Sequence, residues 1–188
     1  LILLIFSLAI LILGLFFKKA NLWGILSLIG IAFAALYLPK SSSLPAPIFS
    51  NLLLNDSFSG FFKGIFLIVS FIVILISMGY RVISDENGPE YFFLLLLTTI
   101  SMMLAVSSGN FMMIYVALEA VSLVSYVLVG FLKRDMLSNE AALKYFLFGT
   151  LATGIMLYGI SLIYGLFGTT DIFMIQSVLA GGGVNNPV

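Results

Sequence analysis

Neither cysteine nor histidine occurs in the 188 residues. Their absence removes disulfides, thiolate chemistry, iron-sulfur ligation, haem ligation through histidine and most zinc sites. Any redox chemistry linked to the chain therefore belongs to other chains. Charge is scarce too: 9% of residues are charged and the net charge is zero, so no basic surplus points to nucleic acid. What is there is apolar, with 62% hydrophobic residues and a mean hydropathy of +1.22, against about 45–50% apolar residues in an average soluble domain. At ~25 cal/mol per Å² of apolar surface, water is the wrong solvent for that excess and a bilayer the right one.

A membrane-crossing helix needs about 20 predominantly apolar residues at ~1.5 Å each. Uncharged runs near that length predict six: Leu1–Phe17, Leu22–Leu38, Gly64–Tyr80, Tyr91–Ser108, Phe111–Phe131 and Ala141–Leu166. The strict alternation of a membrane barrel is missing. The expected fold is therefore all-α, a single polytopic helical domain over residues 1–188. The chain opens on Leu1 inside an apolar run. A cleaved signal would carry its positive charge first, whereas here Lys18 and Lys19 follow the run.

Turn chemistry separates the runs: Pro39–Ser59 is rich in Pro, Ser and Asn, Ser107-Ser108-Gly109-Asn110 reads as a tight turn, and Asp85-Glu86-Asn87-Gly88 as a solvated one. Lys133-Arg134-Asp135, with Ser138 and Asn139, makes a short connection that predicts a hairpin of the fifth and sixth helices. Connections after odd-numbered helices carry Lys18, Lys19, Arg81, Lys133 and Arg134, and those after even-numbered ones Lys40 and Lys63. The excess marks the first set as cytoplasmic and puts the start of the first helix outside. Gly149, Ala152, Gly154, Gly159 and Gly165 offer the sixth helix close approach to a neighbour.

Ionisable residues inside apolar runs are candidates for function, because a charge at mid-bilayer costs roughly 2.5–3.5 kcal/mol on insertion scales. Glu119 lies too deep in the fifth run for its short side chain to reach water, and it shares a helical face with Tyr115, Ser122 and Tyr126. Lys144 stands nearer the end of its helix, where its long stem can carry the ammonium to the surface. Glu140, one turn earlier, is in the favourable orientation for an i, i+4 pair with it. Inert helix-to-helix glue is the competing reading for Glu119, and snorkelling for Lys144.

ALEAVSLVSYVLVGF (Ala117–Phe131), KRD (Lys133–Asp135), SNEAALKYFLFG (Ser138–Gly149) and LYGISLIYGLFGTTD (Leu157–Asp171), with EYFFLLLL from Glu90, resemble subunit N of bacterial NADH-quinone oxidoreductase, respiratory complex I. The resemblance covers about half of the chain; residues 1–80 agree only in hydropathy and helix number. It implies a proton-translocating, antiporter-like subunit of the bacterial plasma membrane. In that family a fifth-helix glutamate, here Glu119, works with lysines of later helices, and Glu140 and Lys144 match the sixth-helix pair. No cofactor is expected in this chain; NADH, flavin, iron-sulfur clusters and quinone belong to other subunits, and its partners would be other membrane subunits of the complex and the lipid bilayer. Residues Asp171–Val188 then read as the approach to a broken seventh helix, and the resemblance implies a piece of a longer helical bundle, truncated at both ends. The alternatives are a subunit of a multisubunit cation/proton antiporter, a structural module that does not titrate, and a secondary transporter of small solutes.

Overall fold

The computed structural model describes residues 1–17, 20–42, 52–79 and 87–181, with side chains at 20 and 39–42 left aside. Seven helices run through these residues: α1 (Ile2–Gly14), α2 (Ala20–Ser42), α3 (Ser57–Met78), α4 (Gly88–Val106), α5 (Phe111–Val129), α6 (Met136–Phe167) and α7 (Ile172–Ala180). No β-strand longer than an isolated bridge occurs among the described residues. Helices α2 to α6 are long and apolar enough to cross a membrane, whereas α1 is a shorter apolar helix.

Helix starts differ most from the uncharged runs. Helix α3 begins at Ser57 rather than Gly64 and α6 at Met136 rather than Ala141, because first turns favour the polar residues that an apolar-run criterion discards. Asp56 accepts the Ser59 amide at 2.8 Å while its own amide donates to Ser59 Oγ at 3.2 Å, a reciprocal capping box. Asp135 caps α6 through the Leu137 amide, and Asn110 caps α5 through that of Met112. Helix α2 continues past Pro39 to Ser42, where a loop is expected, and α7 occupies part of the segment expected as an approach loop. Lys18, Lys19, Arg81, Asp85, Glu86 and the terminal Gly182–Val188 lie outside the described residues.

The Ser59 amide holds the Asp56 carboxyl below the ordinary aspartate range. A lowered folded-state pKa gives stability that is present above the unfolded value of about 3.9 and lost as pH falls through the lower folded value. Asp56→Ala should loosen the first turn of α3 by about 0.5–2 kcal/mol, read as severalfold faster amide exchange at Ser59 and Gly60. Acidification should lower the protection factor of these amides, the intrinsic rate divided by the observed rate at the same pH, in the wild type and leave that of Asp56→Asn, which keeps the cap without titrating, unchanged. Equal rates in Asp56→Ala and wild type would dismiss the cap.

One core joins the first four helices. Leu3 and Ile10 of α1, Trp23 and Ile31 of α2, Leu67 and Ile74 of α3, and Phe92 and Leu96 of α4 are buried together, each pair at a spacing that returns to one helical face. Helix α4 sits at the centre, packing on α1, α2, α3 and α5. Lipid tails give no hydrophobic drive, so contact and hydrogen bonding between helices do the work. Ser70 Oγ lies 2.6 Å from Thr99 Oγ1 and Ser77 Oγ 3.1 Å from the Tyr91 hydroxyl, tying α3 to α4 at two levels. Helix α6 packs on α5, and within α6 only Ile160 is buried.

Non-helical backbone gathers at one end of the bundle. The Leu54 amide donates to the Ser107 carbonyl at 2.6 Å and the Gly109 amide to Leu52 at 3.1 Å. From the other side the Phe111 amide donates to Thr170 at 2.9 Å and the Ile172 amide to Gly109 at 3.1 Å. The segment before α3, the α4–α5 turn and the α6–α7 connection thus satisfy one another's polar backbone, as the low-polarity surroundings demand. Gly168, with φ +66°, makes the left-handed turn that ends α6.

Candidate functional site

Glu119 stands eight residues inside α5 from Phe111 and ten from Val129, about 12 and 15 Å along the axis. It is half-buried. No hydrogen bond or ion pair to Glu119 occurs among the described residues.

The other members of its sequence-predicted face divide. Tyr126 is buried with 7% exposure, against α6: its ring meets Tyr145 edge-on at a centroid distance of 4.8 Å and Phe146 at 5.7 Å. Its hydroxyl rests on Gly149, at a place that leaves no room for a Cβ. Ser122 is half-buried and donates to the carbonyl of Leu118 at 3.0 Å, within its own helix. Tyr115 is half-buried one turn before Glu119. The close approach of Gly130 to the Ala142 Cβ sets the antiparallel register, which places Ser122 about level with Thr150 and Glu119 about level with Thr153.

Lys144 and Glu140 form an ion pair on α6, with side-chain exposures of 66% and 58%. This pair does not meet Glu119. From the Gly130–Ala142 level, Glu119 lies eleven residues towards the start of α5 and Lys144 only two residues the same way along α6. At ~1.5 Å per residue their backbones are about 14 Å apart along the bundle, a distance only intervening polar groups or water can bridge.

Two groups that sequence reading passed over join the helices in that interval. Ser125 Oγ donates to the Tyr145 hydroxyl at 3.2 Å and also lies 2.7 Å from the Ser122 carbonyl. Tyr145 adjoins Lys144 in sequence, which was the available signal, but only the α5–α6 register shows that it meets Ser125. The expected glycine approach reduces to Gly149, since a Cβ at Gly154, Gly159 or Gly165 would meet nothing within 4 Å. Among the described residues no three histidine, cysteine or acidic side chains gather as a metal site.

Residues 108–187 match the family model described as NADH:quinone oxidoreductase/Mrp antiporter, TM. Over 166 residues the chain is 39% identical to NADH-quinone oxidoreductase subunit N 1 of Chloroherpeton thalassium, covering 88% of this chain and 35% of that protein. A subunit N 1 of Koribacter versatilis is 39% identical over 97% of the chain and 38% of its own length. The chain thus spans about a third of the length of these relatives. In solved structures, respiratory complex I from Thermus thermophilus contains a chain that superposes with a TM-score of 0.77 at 31% identity, over 90% of this chain and 37% of that one. An archaeal membrane-bound sulfane sulfur reductase shares the fold, with a TM-score of 0.75 at 22% identity.

Proposed function

The chain belongs to the antiporter-like membrane subunits of NADH-quinone oxidoreductase, and from that premise we propose that it is part of a proton-translocating subunit whose path runs through Glu119 and is coupled to quinone reduction elsewhere in the complex. The observation that carries this reading is Glu119 itself, a carboxyl midway along a membrane-crossing helix without a partner among the described residues. Such a group is expensive and marks an ion or proton pathway by default. The relatives are about three times as long, and further helices of such a length would supply its lysine partner. Ser122, Ser125 and Tyr145, with bound water, would continue the polar line from Glu119 towards the Glu140–Lys144 pair.

The end of the bundle with Lys133 and Arg134 is the cytoplasmic one in this reading, in a bacterial plasma membrane, and α1 starts outside. The redox groups sit in partner subunits. A second reading has its own support, because the matching family description includes Mrp antiporters: a subunit exchanging cations for protons without NADH.

Isolation of the tagged full-length protein from its native membranes separates the two. The proposal expects a co-purifying complex that oxidises NADH with quinone, and vesicles from a deletion strain that lose most of the NADH-driven proton gradient. Isolation without NADH-quinone oxidoreductase activity, together with an unchanged gradient after deletion, would overturn it. Cation-dependent proton release that needs no NADH would establish the antiporter reading instead.

A further inference from the structure

A cavity of about 620 Å³ lies at the end of the bundle away from Lys133, between the ends of α1, α2 and α4 and the segment leading into α3. Its walls are apolar, with Leu3 from α1, Leu38 from α2, and Met103 and Leu104 from α4. The α4 residues lining it run from Ile100 to Ser107, about 10 Å of helix, so it reaches from the interface into the hydrocarbon layer. Lys63 and Asn55 stand at its polar edge. Lys63 is rooted six residues inside α3, yet its ammonium reaches back to donate to Asn55 Oδ1 at 3.3 Å, ahead of the helix start. The charge is thereby brought to the depth where head groups lie, while its stem stays in the apolar layer.

We propose that this cavity is a phospholipid site, in which Lys63 holds the phosphate of the head group and one acyl chain fills the space between the helix ends. Three features fit that occupant together. The volume falls in the range of small-molecule sites. The cavity lies among the ends of apolar helices, two of them long enough to cross a membrane, and a basic group between such helices is how proteins recognise lipid head groups. An ammonium also has three donors, one of which Asn55 takes, leaving capacity for phosphate oxygens. Asp56 attracts the same ammonium but directs its Oδ1 to the Ser59 amide as the cap of α3, so it steadies the lysine at the mouth.

Photo-crosslinking on the full-length protein in native membranes tests the assignment, using a phosphatidylglycerol with a diazirine in one acyl chain and the diacylglycerol with the same chains. The phospholipid should label peptides containing Leu38 or Leu104, about tenfold or more above the diacylglycerol, the difference expected of one charge-assisted phosphate contact. Lys63→Met should bring phospholipid labelling down to the diacylglycerol level, Lys63→Arg should preserve it, and Leu104→Trp, which fills the cavity, should suppress both. Equal labelling by the two probes in the wild type, or undiminished labelling in well-assembled Lys63→Met, would overturn the proposal. Should Lys63→Met fail to accumulate, the wild-type comparison and Leu104→Trp decide the matter alone.

Discussion

Glu119→Gln is expected to lower proton translocation per electron by roughly tenfold or more in an otherwise assembled complex, since positioned proton-transfer groups contribute about 10²–10⁴ to the steps they serve. Glutamine preserves the size of the side chain and most of its hydrogen bonding, and removes only the ability to exchange a proton. If Glu119 merely joined helices, a bond worth about 0.6–2 kcal/mol in membranes, the amide would replace it at less cost and the variant would be silent. Glu119→Asp should retain more activity than Glu119→Gln. Lys144→Ala should have a smaller effect, because that side chain is exposed and already paired with Glu140 on its own helix. Inverted membrane vesicles energised by NADH report the ratio directly. A wild-type ratio and rate in assembled Glu119→Gln would remove Glu119 from the path.

Gly149→Val should produce the largest loss of stability among single substitutions in the α5–α6 pair. The nearest atom to a Cβ at this position is the Tyr126 hydroxyl, and Tyr145 and Phe146 flank the same ring. The phenol therefore cannot swing aside without disturbing two further contacts. Overpacking of this kind costs about 1–3 kcal/mol, and a branched side chain adds to it. Thermal unfolding of the full-length protein in detergent should move to lower temperature, and Tyr126→Ala should recover part of the loss, because the two sites are in contact and their effects are not additive. Gly154→Val is the comparison: a Cβ there meets nothing within 4 Å, so its effect should be slight. Equal losses at the two positions would reject the Tyr126–Gly149 contact as the cause.

The apolar runs made the membrane helices legible because lipid imposes one solution on the backbone, internal hydrogen bonding. It made the helix starts hard to read for the opposite reason. Asp56, Lys63, Asp135 and Glu140 look like breaks in an apolar run, yet all four cap or continue helices. Glu119 stood out by its cost in lipid, and helical spacing grouped it with Tyr115, Ser122 and Tyr126. That spacing cannot say how two helices slide past each other. Only the α5–α6 register separates Lys144 from Glu119 and brings Ser125 to Tyr145. Lys63, which counts in the sequence only as a loop charge, gains meaning from Asn55 eight residues earlier and from the cavity beside them.

The paired backbone segments at the α3, α5 and α7 starts carry a mechanical consequence. Gly109 is bonded on one side to Leu52 and on the other to Ile172, and Phe111, the first residue of α5, is bonded to Thr170. This junction rivets the first turn of α5 to that of α7. A tug on α7 would therefore tilt α5 as a stiff lever, with Glu119 riding about 12 Å from the rivet.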